Sequence, residues 1–141
     1  MTVQWKPAMR IDGGAIDDDH RRLFEIINEL EAARDESYSR TRIVNSLKKL
    51  EYYTAYHFTK EEGIMNQIGY SDVAPHSEAH TRLVKLMQDT VAIFDQEDNQ
   101  AQQEAFVQKL ALLPNAWIVG HIMKYDIPLR DALDAYRYAS R

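Results

Sequence analysis

The chain has 141 residues, enough for one domain with a real core and too few for two ordinary ones. Lys and Arg number 17 against 22 Asp and Glu, a net charge of −5, and no basic run is dense enough to suggest nucleic-acid binding. Cysteine is absent, which excludes disulfides, thiolate metal sites and thiol nucleophiles, so any metal must be held by nitrogen and oxygen.

The chain opens on an arm, residues 1–17, whose start "MTVQWKPAMR" lacks the apolar core of a secretory leader. No later stretch approaches the roughly 18 apolar residues of a membrane span, and the expected location is the cytoplasm. Helical periodicity then predicts a first helix over about 18–34, with Asp17 as N-cap and an inward stripe of His20, Leu23, Phe24, Ile27 and Leu30. A second helix is expected over about 40–67, capped by Ser39 and stopped before Gly69. Its stripe is Leu47, Leu50, Tyr53, His57, Glu61, Ile64 and Ile68. Gly63 lies inside it and weakens it by about 1 kcal/mol relative to alanine.

The third helix begins between Asp72 and Pro75 and runs to about Asp95, with His76, His80, Leu83, Met87, Val91 and Phe94 facing in. The fourth starts after Asn99 and passes through Phe106, Leu110, Leu113, Trp117 and His121, with Pro114 expected to kink or split it near Leu112–Leu113. Pro128 ends that segment, and a short terminal helix follows over about 128–141. Short connections make sequential helices pack antiparallel. The expected fold is therefore all-α, an up-down-up-down four-helix bundle over about 18–127 with a short extra C-terminal helix.

All five histidines of the chain fall on these inward stripes, and Glu61 shares the face of His57 one turn away. One histidine on an apolar stripe is ordinarily a satisfied core residue. Five of five, joined by a buried carboxylate that costs several kcal/mol unless paired or metal-bound, point to a shared purpose. "HSEAH" (76–80) is not the zinc-protease motif, because its glutamate lies about 200° around the helix from the first histidine. Zinc wants about four ligands, and this core offers more. The surplus points to a two-metal site in the bundle.

The segments "IDDDH" (16–20), "HFTKEE" (57–62), "GYSDVAPHSEAH" (69–80) and "WIVGHIMKYD" (117–126) together resemble the bacterial hemerythrins, from Trp5 to about Asp126. The resemblance implies two iron ions cycling between Fe2+ and Fe3+. One would take His76, His80 and His121, the other His20 and His57. Glu61 and Asp126 would bridge them, with an oxo or hydroxo group as third bridge. Eleven of the twelve positions around two octahedral irons are then filled, which leaves one for dioxygen on the two-histidine iron. Phe24, Phe58, Trp117 and Ile118 are the expected lining of its pocket. Asp19 departs from the glutamine common before the first histidine in that family, and Glu62 is expected beside the site or in solvent.

The expected function is reversible dioxygen binding for storage, transport or delivery, without catalysis and with no protein partner specified. A module sensing oxygen, nitric oxide or redox state is one alternative, although only about 17 residues precede the expected bundle. A di-iron peroxidase or nitric oxide reductase is another. The spacing of Asp126 adds a structural demand. It lies five residues after His121, about 140° off the same α-helical face, so it can reach the site only through a π-type turn or an unwound stretch within 121–127.

Overall fold

The structure, a computed structural model, describes residues 4–35, 39–95, 101, 105 and 118–140. Three long helices come first: α1 (Ala15–Asp35), α2 (Arg40–Ile68) and α3 (Val73–Asp95). The last run, α4, is α-helical over 118–121, π-helical over Ile122–Asp126 and α-helical again over Ile127–Ala139. With α1 packed on α2 and α2 on α3, the fold is an all-α four-helix bundle. No strand occurs and no helix is long and apolar enough to cross a membrane among the described residues. Trp117, Pro114, Phe106, Leu110 and Leu113 lie outside the described residues.

Local signals explain most boundaries. Ser39 caps α2, its hydroxyl accepting from the Arg42 N–H at 3.3 Å. Gly69 ends α2 in the left-handed conformation (φ 67°), where a glycine carries no Cβ penalty. The start of α1 differs from expectation. The helix begins at Ala15, and Asp17 is buried inside it rather than capping it. Asp12 is the capping side chain, accepting from the N–H groups of Gly14, Ile16 and Asp17 at 2.8, 3.0 and 3.2 Å. Asp17 instead ties back the arm, taking the N–H groups of Ile11 and Gly13 at 2.8 Å each. The turn works because Gly13 sits at φ 66°.

The core is layered along the bundle. Ile11, Ile16, Met65, Leu129 and Leu133 form one apolar cluster. A second contains Leu23, Phe24, Leu50, Met87 and Ile118. Register places the histidines between the two: Ile16 and Leu23 flank His20 on α1, and Leu50 and Met65 flank His57 and Glu61 on α2. A third cluster, including Leu30, Ile43, Leu47, Val91 and Phe94, closes the far end.

Gly63 is exposed, with nothing within 4 Å of where a Cβ would lie. Gly63→Ala should therefore stabilise the protein by about 1 kcal/mol and raise its melting temperature by about 3–4 °C, as calorimetry would show. An unchanged or lower value would mean the glycine answers a need other than helix geometry.

Candidate metal centre

Each of the four helices delivers side chains to one buried point. α1 supplies His20, α2 supplies His57 and Glu61, α3 supplies His76 and His80, and α4 supplies His121 and Asp126. On α2 and α3 the four-residue spacing stacks each pair on one face. On α4 the spacing is five, and the π-turn accommodates it. The Ile127 N–H bonds to the Ile122 carbonyl, five residues back, and Asp126 turns inward to full burial. Pro128, which lacks an N–H, sits in the first turn of the α-helix that follows, and the helical path runs through it unbroken. The demand that the sequence spacing placed on 121–127 is met as a π-turn.

Two overlapping sets of potential metal ligands result. Glu61, His76, His80, His121 and Asp126 form one; His20, His57, Glu61 and Asp126 form the other. The carboxylates of Glu61 and Asp126 belong to both. The imidazole Nε2 atoms converge: His20 to His57 at 3.1 Å, His80 to His121 at 3.1 Å and His76 to His121 at 3.3 Å. Carboxylate oxygens lie among them, with His76 Nε2 2.8 Å from Glu61 Oε1 and 2.9 Å from Asp126 Oδ1, and His20 Nε2 3.2 Å from Asp126 Oδ2.

These close approaches are not hydrogen bonds of good geometry, because all four oxygens of Glu61 and Asp126 lack a hydrogen-bond partner. Buried polar atoms are rarely left so. Lone pairs that face one another across about 3 Å suit metal ions instead, since neighbouring ligands about 2.1 Å from a first-row metal at right angles sit about 3 Å apart. The donor set of imidazole nitrogen and carboxylate oxygen suits iron.

Protein charges alone shape the ionisation of the cluster. Burial pushes the His57 pKa down, but the carboxylates of Asp19, Glu61 and Asp126 outweigh it and raise it to about 9. His76 follows the same course, with Asp126 and Glu61 raising it to about 9 against burial. Burial prevails at His80, whose pKa is lowered. Burial and the neighbouring Asp126 charge push Glu61 up, yet His57, His76 and His80 bring it down to about 2. Asp126 is also held well below the ordinary carboxylate range, with His121, His20 and His76 overcoming its burial.

Around this cluster lie further groups, of which the Asp19–His57 bond and the Tyr125 stack are not revealed by the sequence. Asp19 reaches across from α1 and accepts from His57 Nδ1 at 3.0 Å, while Lys60 pairs with the same oxygen at 2.7 Å. That bond leaves the lone pair of His57 on Nε2, facing the cluster. Glu62 lies 3.6 Å from His80 Nδ1, beside the cluster rather than in it. Tyr125 stacks on His121 with ring centroids 5.1 Å apart. Of the expected pocket residues, Phe24 and Ile118 belong to one apolar cluster with Leu23 and Leu50. Phe58 packs on the histidine rings, parallel to His80 with centroids 3.7 Å apart.

The profile of the Hemerythrin HHE cation binding domain matches residues 14–126. The chain belongs to the hemerythrin family. It is 31% identical to a bacteriohemerythrin of Methylococcus capsulatus over 80% of this chain and 82% of that one. A bacteriohemerythrin of Clostridium acetobutylicum is 28% identical over 86% of this chain and 94% of its own length. Among solved structures, wild-type hemerythrin superposes with a TM-score of 0.72 at 29% identity, covering 94% of this chain and 98% of that chain. The shared fold is a four-helix bundle, and in this chain the histidine–carboxylate cluster lies inside it.

Proposed function

We propose that this hemerythrin binds dioxygen reversibly at a pair of irons, for storage, transport or delivery. The observation that carries the reading is the sharing of Glu61 and Asp126 between two ligand sets, which suits two metals side by side rather than one. His76, His80 and His121 would hold one iron and His20 and His57 the other, with Glu61 and Asp126 shared between them and an oxo or hydroxo group as the expected third bridge. When bound, the irons supply the reversible electron transfer on which dioxygen capture depends.

The chain's own residues supply position and dryness. Asp19 keeps His57 in the tautomer that presents Nε2. Phe24 and Ile118, buried beside Leu23 and Leu50, exclude the water that would carry protons to the site. With one histidine fewer than the other set, His20 and His57 mark the side on which dioxygen would bind.

The test is iron analysis joined to visible spectroscopy of the reduced protein, before air, after air and after oxygen is removed again. About two irons per chain and an absorbance change that reverses are expected. Zinc in place of iron, or a change that does not reverse, would sink the reading.

The pocket has its own test. Ile118→Ala opens the apolar layer to water and should speed oxidation of the air-exposed protein several-fold, measured as decay of the oxygenated spectrum. An unaltered decay would remove Ile118 from the pocket.

A further inference from the structure

Four threonines lie within α2 and α3 beyond their first turns: Thr54, Thr59, Thr81 and Thr90. Three donate to the carbonyl four residues back, Thr59 to Ala55 at 3.0 Å, Thr81 to Ser77 at 3.1 Å and Thr90 to Leu86 at 2.8 Å. This is the ordinary refuge of a helical hydroxyl. Thr54 does not take it. Its side chain is 0% exposed and its Oγ1 has no hydrogen-bond partner among the described residues. A buried hydroxyl left unpaired is destabilising and calls for an explanation.

Its position supplies one. Thr54 lies one turn after Leu50 and one turn before His57 and Phe58 on α2. Leu50 belongs to the apolar cluster with Leu23, Phe24, Met87 and Ile118. Those residues sit one turn beyond His20 on α1, two beyond His80 on α3 and one before His121 on α4, so antiparallel packing puts them on the same side of the cluster. By helical register, Thr54 with its unpaired hydroxyl thus falls at the level between the histidine–carboxylate cluster and that apolar layer.

We propose that the Thr54 hydroxyl donates a hydrogen bond to the small acceptor molecule that occupies the pocket beside His57, dioxygen in the function proposed above. The inference rests on that reading and adds to it a specificity-determining residue. Having no backbone partner, the hydroxyl can turn to a ligand without giving up an existing bond. It cannot fill the pocket with water by itself, because a buried water typically needs about three hydrogen bonds. An acceptor ligand is favoured while the pocket stays dry.

Iron-loaded, oxidised wild type, Thr54→Val and Thr54→Ser should be titrated with sodium azide, a small anionic acceptor, and followed by visible absorbance. Thr54→Val matches the shape without the hydroxyl. It should keep the wild-type iron content and bind azide about tenfold more weakly, the scale of a lost hydrogen bond to a charged group. Thr54→Ser, which keeps the hydroxyl, should stay within about threefold of wild type. The iron-free proteins give a second readout. Thr54→Val should melt no lower than wild type, since no native bond is lost.

Wild-type azide affinity in Thr54→Val would overturn this proposal alone. So would a melting temperature several degrees lower in its iron-free form, which would place the hydroxyl in an internal bond. A wild-type protein that holds no iron pair would overturn the proposed function, and this inference with it.

Discussion

Glu61→Ala should strip the protein of its iron pair, lowering bound metal from about two per chain to below one. Glu61 is fully buried and lies in both ligand sets, within 3.2 Å of His57 Nε2 and of His80 Nε2 and 2.8 Å of His76 Nε2. Alanine removes both oxygens at once, and no other carboxylate on α2 can replace them. Glu62, the next residue, faces His80 Nδ1 from outside. Glu62→Ala is therefore the control and should retain the full iron content. Iron analysis on both variants, with helix content checked by circular dichroism, decides the matter. A folded Glu61→Ala protein with two irons would show that Glu61 is not a shared ligand.

Metal uptake should release about two protons per chain from the ligand histidines at pH 7, and one more if a water enters as a hydroxo bridge. His57 and His76, each raised to about 9, carry a proton there when no metal is bound, and coordination requires their lone pairs. Glu61, held at about 2, and Asp126, held well below the ordinary range, are already ionised and release none. The sign follows. Rising pH removes competing protons, so between about pH 7 and 9 these two histidines alone should make ferrous affinity climb by about two powers of ten per pH unit. Titration of weakly buffered, oxygen-free protein with ferrous iron measures the protons directly. Release of fewer than one would mean that the two histidines are already neutral at pH 7.

Much of this arrangement can be read from the chain, for reasons that differ by residue. The ends of α2 are legible because Ser39 and Gly69 act within their own turns. The histidines of α1, α2 and α3 are legible because helical period alone puts them inward. Asp126 is legible only through a contradiction: an ideal helix would aim it away, and the π-turn resolves the conflict. The start of α1 is misread because two aspartates compete for the capping role, and the choice depends on how Gly13 folds the arm back. The bond from Asp19 to His57 is invisible in sequence, since it depends on the rotation of α1 against α2. The same holds for the unpaired state of Thr54, which only the packed structure displays.

The π-turn also ties two parts of the chain into one reading frame. A π-turn is geometrically a single extra residue in an α-helix. Drawing the same residues into regular α-geometry, with none removed, would rotate everything after the turn by about 100° relative to the helix before it. Asp126 would lose its aim, and Leu129 and Leu133 would swing out of the cluster they share with Ile11, Ile16 and Met65. Point substitutions on the outward side of this turn, such as at Met123, which is 53% exposed, leave the frame intact. An inserted residue there would add a second surplus that the turn does not absorb, whereas loss of one residue would leave the four-residue spacing that a regular helix serves directly.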